Sequence, residues 1–137
     1  MAVNPELSDY KRYEQSNPFM YHNHIEIVKI AEDNCRVKVT LAPESMNLYG
    51  NVHGGLMFSM ADIACGITAR IDGNEYVTQS THMNYLRNTI GNEIYCDTEI
   101  VKRGRTMVIV HFRITDDSDR LLADGVIDMI RIDKKRR

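Results

Sequence analysis

The residue whose chemistry stands out most in this sequence is a single carboxylate, Asp62, inside a long apolar segment. The segment covers residues 54–67, contains no proline, and places methionine, alanine and isoleucine next to the aspartate. Burying an ionised carboxylate without partners is costly, so an acid is seldom found in such a setting by accident. Asp62 is therefore a candidate functional carboxylate. The alternative is a helix that exposes one narrow polar stripe, containing Ser59, Asp62 and Gly66, to water.

Two glycines, Gly54 and Gly55, open the same segment. Backbone N–H groups in the first turn of a helix have no partner within the helix, and glycine has no Cβ to shield them. A helix start of this kind carries partial positive charge and is suited to a developing oxyanion. The glycines can also serve only to turn the chain into the helix.

The spacing between the glycines and the carboxylate limits how they can act together. Gly54 and Asp62 are about 12 Å apart along a helix, because each residue adds 1.5 Å. They cannot both contact one carbonyl group. If both serve one site, a second copy of the chain must supply one of them, which predicts a dimer with two sites related by a two-fold axis.

The elements that position these residues follow from hydrophobic periodicity. The apolar segment is too long for a strand and predicts a helix over residues 54–67 that is buried on every face. Alternating β-branched and polar residues predict strands at 24–31, 36–41, 76–87, 93–103, 106–115 and 121–132. We expect a hairpin between the first two strands, turning at residues 32–34, and an antiparallel meander of the last four. Asn4 as N-cap and Pro5 at the first position predict an N-terminal helix over about residues 5–15.

This order of elements predicts an α+β fold, in which an antiparallel sheet of about six strands wraps around a long central helix. A chain of 137 residues accommodates one such domain. We expect a single domain over residues 1–137, with its core at about 24–132.

Composition argues against several classes of protein. The formal net charge of −2 suggests neither a nucleic-acid nor a membrane partner. The polar first twenty residues lack a secretory pattern, and Cys35, Cys65 and Cys96 form neither a CxxC nor a metal-ligand spacing. We expect a cytoplasmic protein without a metal, whose cysteines are core residues. The basic end, residues 134–137, is expected to be a solvated terminus rather than an interaction tail.

The run NLYGNVHGG, from Asn47 to Gly55, followed by Asp62, closely resembles the PaaI-type hotdog acyl-CoA thioesterases. Residues 76–78, 102–106 and 122–125 fit the same pattern, and the resemblance covers roughly residues 24–132. It implies a hotdog fold, an acyl-CoA substrate and no cofactor beyond the coenzyme A of that substrate. It also implies a homodimer with shared active sites that associates again into a tetramer.

The resemblance also implies a role for each matching position. Asp62 matches the acid that acts as nucleophile or as general base on water, and Gly54 matches the residue whose N–H polarises the thioester carbonyl. Asn47 matches a polar loop residue near that carbonyl, and His53 a histidine beside the thioester. Thr78 matches a hydroxyl that holds the acid or the water. In the family, the first glycine and the asparagine come from one subunit, and the acid and the hydroxyl from its neighbour.

Five further residues are candidates for binding substrate. Gly55 adjoins the predicted carbonyl site. His82 and Asn84 are predicted to lie on the strand face of the catalytic threonine and to line the acyl or pantetheine channel. Arg103 and Arg105 lie at a strand corner, where they either meet the phosphates of coenzyme A or form a solvated turn.

Two other functions compete with hydrolysis. A hotdog module that binds acyl-CoA without hydrolysing it would be favoured by loss of the carboxylate, but Asp62 is present. Hotdog dehydratases of hydroxyacyl thioesters resemble a pattern with a loop histidine and a more distant helix acid, which His53 and Asp62 do not reproduce. The residues 88–90 replace a Pro-Ala pair that the family often has, and the acyl group therefore stays unspecified.

Overall fold

The computed structural model of the chain describes residues 3–132. The strands and helices follow the chain in this order: α1 (Tyr10–Ser16), α2 (Pro18–His22), β1 (Ile25–Ala31), β2 (Asn34–Thr40), α3 (Gly54–Arg70), β3 (Glu75–Tyr85), β4 (Glu93–Arg103), β5 (Met107–Asp116) and β6 (Leu121–Ile132). Short 3-10 turns at Pro5–Leu7 and Pro43–Ser45 precede α1 and α3. The six strands and the central helix lie within about three residues of their predicted bounds.

All six strands form one antiparallel sheet, in the order β1-β2-β4-β5-β6-β3. The predicted first hairpin is confirmed, but the predicted four-strand meander is wrong, since only β4, β5 and β6 form one. β3 pairs with β6 at the far edge, which frees β4 to pair with β2. This arrangement joins the first hairpin to the later strands, so that one continuous sheet packs against one helix. The predicted α+β hotdog architecture is confirmed.

The central helix α3 packs against the inner face of the sheet. Its sheet-facing side chains include Met60, Ala64 and Ile67, which are fully buried together with Phe112 of β5. The prediction that the helix is buried on every face is wrong for the single chain. Gly55 and Phe58 are exposed, and Ser59 and Asp62 are partly exposed. We call this side of α3, residues 55, 58, 59 and 62, the open stripe.

The N-terminal segment differs from the single helix predicted over residues 5–15. Asn4 caps the 3-10 turn by accepting a hydrogen bond from the Glu6 N–H, as its N-cap prediction requires. Two separate helices then begin, because the Asp9 side chain caps α1 and the Asn17 side chain caps α2. Each side chain satisfies first-turn N–H groups and so favours a new helix start over continuation of the previous one.

The three cysteines are free and buried, as predicted. Burial raises the pKa of Cys35 to about 11, so its thiol stays protonated at neutral pH. Within residues 3–132, no helix is both long enough and apolar enough to span a membrane. The basic end at residues 134–137 lies outside the described residues.

Candidate active site

The structure brings Asp62 and Thr78 together. The Thr78 hydroxyl donates a hydrogen bond of 2.5 Å to Asp62 Oδ1, joining the middle of α3 to β3. Asp62 Oδ2 accepts no hydrogen bond from any described residue. Since one oxygen is held and the other is free on the open stripe, the carboxylate has a fixed orientation and one oxygen available to a water or a substrate.

The start of α3 presents an unpaired N–H group. His53 is the N-cap, and its Nδ1 accepts a hydrogen bond of 2.9 Å from the Gly55 N–H. A neutral imidazole that accepts at Nδ1 carries its proton on Nε2 and can donate from there. The Gly54 N–H has no partner among the described residues, so it remains free to donate to an oxyanion.

Tyr85, at the end of β3, fixes the position of Gly54, and the sequence reasoning missed it. Its hydroxyl donates a hydrogen bond of 3.0 Å to the Gly54 carbonyl. A Cβ added at Gly54 would lie 3.3 Å from Tyr85 Cε1, closer than most such contacts, so glycine fits this position best. Partial burial raises the pKa of Tyr85, which keeps its phenol protonated as a donor.

Asn47 lies in the loop before α3 and shapes that loop with one side of its amide. Its Oδ1 accepts hydrogen bonds from the Tyr49 and Asn51 N–H groups, at 2.9 and 3.1 Å. No described residue accepts a hydrogen bond from its Nδ2. The amide donor is therefore available, while the acceptor holds the loop.

His82 and Asn84 do not share a face with Thr78, and that prediction is wrong. The register between β3 and β6 shifts between Thr78 and Ser80, which inserts Gln79 as a β-bulge. A one-residue insertion reverses the alternation of side chains along a strand. His82 and Asn84 therefore lie on the outer face of the sheet, where Asn84 donates to Asp124 at 3.3 Å. After the bulge, the odd-numbered residues of β3 lie on the inner face, and Tyr85 is the last of them.

Arg103 is occupied by partners within the chain. Its guanidinium donates to the carbonyls of Thr68 and Ala69 and to the carboxylates of Asp33 and Asp72, at 2.9–3.0 Å. These contacts give Arg103 a structural role that needs no ligand. The guanidinium places a cation at the last turn of α3 and donates to its carbonyls. Arg105 is exposed, and its contact with coenzyme A phosphates stays a prediction.

The candidate residues thus form two half-sites on one chain. Asp62 and Thr78 form one half-site in the middle of α3, and Gly54, His53 and Asn47 form the other at its start. Gly54 and Asp62 both belong to α3, Gly54–Arg70, so about 12 Å of helix separates them. The described residues contain no group of three or more His, Cys, Asp or Glu side chains that could hold a metal ion.

Comparison with protein families gives a match over more than half of the chain. The model of the thioesterase superfamily matches residues 49–123, which include the start of α3, Asp62 and Thr78. A Mycobacterium tuberculosis protein named "Putative esterase" is 23% identical over 124 residues, spanning 86% of this chain and 89% of the relative.

Two solved structures share the fold over nearly the whole chain. The Escherichia coli PaaI protein of the phenylacetic acid degradation operon superposes with a TM-score of 0.84 at 18% identity, covering 90% of each chain. A hypothetical thioesterase from Streptococcus pneumoniae, solved with coenzyme A, superposes with a TM-score of 0.80 at 26% identity. The latter match covers 89% of this chain and 95% of the Streptococcus chain.

Proposed function

The chain belongs to the thioesterase superfamily, and we propose that it hydrolyses an acyl-coenzyme A thioester to a free acid and coenzyme A. Asp62 is the catalytic carboxylate in this proposal, and the Gly54 N–H polarises the thioester carbonyl. The coenzyme A bound to the Streptococcus pneumoniae relative supports a coenzyme A thioester as the substrate. No cofactor is needed beyond the coenzyme A that the substrate carries.

The observation that carries the proposal is the hydrogen bond between Asp62, on the open stripe of α3, and Thr78 of β3. The hydroxyl holds Oδ1 at 2.5 Å and leaves Oδ2 free. A carboxylate that only balanced charge or stabilised the helix would be expected to pair with a cation, and neither Arg nor Lys contacts Asp62 among the described residues. An oriented carboxylate with a free oxygen is suited to general-base or nucleophilic chemistry.

The reaction follows from these positions. The Gly54 N–H donates to the carbonyl oxygen as it gains negative charge, which lowers the barrier to attack. In one route Asp62 takes a proton from the water that attacks the carbonyl carbon. In the other route Oδ2 attacks directly, and water then hydrolyses the resulting anhydride. In both routes the C–S bond breaks and coenzyme A leaves as a thiolate, which is protonated on release.

The two half-sites meet only if a second copy takes part. We propose a two-fold homodimer in which Gly54, Asn47 and His53 of one subunit face Asp62 and Thr78 of the other. Such dimers are proposed to associate again into a tetramer. Three free, buried cysteines agree with a reducing compartment, and we propose the cytoplasm.

Thiol release from a panel of acyl-CoA substrates tests the proposed function. The Asp62→Asn variant should lose about 100-fold or more in kcat, because general-base catalysis contributes 10²–10⁴-fold. Asp124→Asn is the matched control, since it removes a carboxylate from the outer face of the sheet and should leave kcat unchanged. Circular dichroism establishes that both variants are folded.

Two outcomes would contradict the proposal. A folded Asp62→Asn variant with wild-type kcat would remove Asp62 from the chemistry. A wild-type protein that binds acyl-CoA in calorimetry but releases no thiol would favour the non-catalytic binding module. Single turnover in ¹⁸O-labelled water separates the two routes, because only the anhydride route can leave label in the peptide that contains Asp62.

A further inference from the structure

Two consecutive peptide groups at the start of α3 are held by hydrogen bonds. The first, between His53 and Gly54, supplies the Gly54 N–H, and its His53 carbonyl accepts from the Leu56 and Met57 N–H groups at 3.0 and 3.3 Å. The second, between Gly54 and Gly55, is held at its N–H by His53 Nδ1, at 2.9 Å. All of these partners belong to the N-cap and first turn of α3, so they move with the helix start and do not fix its position.

Tyr85 holds the second of these peptide groups from outside the helix. Its hydroxyl donates to the Gly54 carbonyl at 3.0 Å, across 31 residues of sequence. In an α-helix this carbonyl also accepts from the N–H four residues on, and an oxygen with two lone pairs accommodates both donors. Within residues 3–132, Tyr85 is the only side chain from another strand or helix that hydrogen-bonds to either peptide group. It is therefore the contact that fixes them relative to the sheet.

The sheet holds Tyr85 in place independently of its hydroxyl. Tyr85 pairs with Ala123 of β6, and the N–H groups of the next two residues, Leu86 and Arg87, donate to the Leu122 carbonyl at 2.7 and 3.2 Å. The backbone of Tyr85 therefore stays in place when the hydroxyl is removed. It follows that the phenol transmits the position of the strand to the helix start, rather than the reverse.

The hydrogen bond from Tyr85 acts on both donors of this half-site. The Gly54 N–H lies on the peptide group next to the one that Tyr85 holds, so a rotation of the second group also turns the first. The held group also aims the Gly55 N–H at His53 Nδ1, and an imidazole that accepts there carries its proton on Nε2. Hydrogen bonds in such a series polarise one another. Donors held in advance stabilise an oxyanion well, because they need no reorientation during the reaction.

We propose that Tyr85 is a positioning residue of the thioesterase reaction, which holds the Gly54–Gly55 peptide group so that the Gly54 N–H and the His53 ring keep the orientation that the oxyanion requires. This inference rests on the proposed thioesterase function and deepens it by adding a residue that controls turnover without contacting the reacting atoms. Loss of the hydroxyl weakens donation to the oxyanion more than binding of the substrate. It should therefore lower kcat and leave KM nearly unchanged.

Tyr85→Phe tests the role of the hydroxyl, because it keeps the ring against Gly54 and removes only the donor. We expect kcat for acyl-CoA hydrolysis to fall about 10-fold with KM within about 2-fold, a smaller loss than the roughly 10²–10³-fold typical of a removed oxyanion donor. Tyr95→Phe is the matched control, since its phenol donates to Glu93 at 2.9 Å on the outer face of the sheet, and its kcat should not change. A folded Tyr85→Phe variant with wild-type kcat, or with a raised KM alone, would overturn the inference.

Infrared spectroscopy separates positioning from a general structural effect. Acetyl-CoA and benzoyl-CoA, labelled with ¹³C at the carbonyl, are bound to the Asp62→Asn variant, in which slow turnover allows the spectrum to be recorded. They are bound in parallel to the Asp62→Asn, Tyr85→Phe double variant. Hydrogen bonds to a carbonyl lower its stretching frequency, so the band of the bound thioester should move to higher frequency when the phenol hydroxyl is absent. An unchanged band in the double variant would refute the positioning role.

The two measurements distinguish a failure of this inference from a failure of the proposed function. If the band moves but the wild-type protein releases no thiol from any acyl-CoA, Tyr85 positions the donors and the thioesterase function fails. If the wild-type protein releases thiol, and Tyr85→Phe does so at the same rate with an unchanged band, the function stands and the positioning role fails.

Discussion

The hydrogen bond from Thr78 to Asp62 orients the carboxylate on which the proposed chemistry depends. Its length of 2.5 Å is that of a charge-assisted O–H···O⁻ bond. Thr78 lies next to the bulge at Gln79, and the bulge turns its side chain toward the helix while the next residues realign. The strand irregularity therefore has a defined effect, which is to aim one hydroxyl at Asp62.

Replacing Thr78 tests this orientation. Thr78→Val keeps the shape of the side chain and removes the donor, so we expect kcat to fall about 10-fold, less than for Asp62→Asn. In a double-mutant cycle the two losses should be non-additive, since both residues serve one water or one attack. Ser80 lies on the outer face of β3, where its hydroxyl donates to Asp128 of β6. The Ser80→Ala variant is therefore the control, and its kcat should not change. Additive losses for Thr78 and Asp62 would exclude Thr78 from the site.

At the residue scale, sequence reasoning identified groups whose chemistry is visible in their type. Asp62 stood out because a carboxylate is costly among apolar neighbours, and Gly54 because glycine at a helix start leaves the N–H accessible. Tyr85 was missed, and His82 was placed on the wrong face, for one reason. The bulge at Gln79 lies in a polar run, TQST, in which alternation gives no sign of an inserted residue.

At the scale of elements, Arg103 ties the end of α3 to the sheet and to the first hairpin. The last carbonyls of a helix have no partner within the helix. The Arg103 guanidinium donates hydrogen bonds to two of them, those of Thr68 and Ala69. The same group pairs with Asp72 after the helix and with Asp33 in the β1–β2 turn. The Arg103 side chain is only 16% exposed, so these interactions are weakly screened by water.

Arg103→Ala should therefore reduce stability rather than substrate binding. Leaving two carboxylates and two carbonyls without their donor should lower the free energy of unfolding by about 3 kcal/mol. Arg105→Ala, a matched change at an exposed position of the same corner, should shift it by less than about 0.5 kcal/mol. Denaturant unfolding measures both values, and KM for acyl-CoA at a temperature where both variants are folded measures binding. A stable Arg103→Ala variant with a raised KM would instead support the coenzyme A contact predicted from the sequence.

The bounds of the strands could be predicted from sequence, but their pairing could not. Alternation is a local property, and it located β4 and β6 with the bounds found in the structure. The partner of β3 depends on where the chain leaves α3, which local periodicity does not encode. In the N-terminal segment, the prediction of one helix over about residues 5–15 used neither Asp9 and Asn17 as cap residues nor Pro18 as a first helical position. Proline at the first position also begins a helix, as it does in α2.

At the scale of the whole molecule, the two edges of the sheet differ in how they are covered. On β1, the Glu14 carboxylate accepts from the Ile27 N–H at 2.7 Å and the Tyr10 hydroxyl from the Ile30 N–H at 2.8 Å. These side chains of α1 occupy donors that another strand would need. Within residues 3–132, the opposite edge strand, β3, pairs only with β6, and it carries the exposed Val77 on its surface. An uncovered edge of eleven residues can pair with another strand.

The open stripe of α3 lies on the same side of the molecule as the β3 edge. Phe58 is 40% exposed on the stripe, and Tyr85 is 53% exposed at the end of β3. Asp62 is joined to β3 through Thr78, and Gly54 through Tyr85. A second copy that covered the β3 edge would therefore approach both half-sites at once. This is the arrangement that the 12 Å separation requires of the proposed shared site.

Mixing two impaired variants tests the shared site. Asp62→Asn removes the carboxylate, and Asn47→Asp removes the amide donor while keeping the Oδ1 acceptor that holds the loop. A mixed dimer would carry both changes in one site and leave the other site wild-type. With equal amounts and random exchange, half of the dimers are mixed and half of their sites are intact, so activity should recover to about one quarter of wild type. Each variant alone should stay well below that value.

The matched control for this experiment is a mixture of Asp62→Asn with Thr78→Val. In the proposed shared site, one subunit supplies both Asp62 and Thr78. Every site in a mixed dimer therefore carries one of the two changes. Activity should not exceed the average of the two separate proteins. Native mass spectrometry of differently labelled subunits establishes that exchange has occurred in both mixtures. Recovery in neither mixture after complete exchange, or full activity in a chain that sediments as a monomer, would contradict the shared site. Recovery in the first mixture alone would assign Asn47 and Asp62 of one site to different subunits.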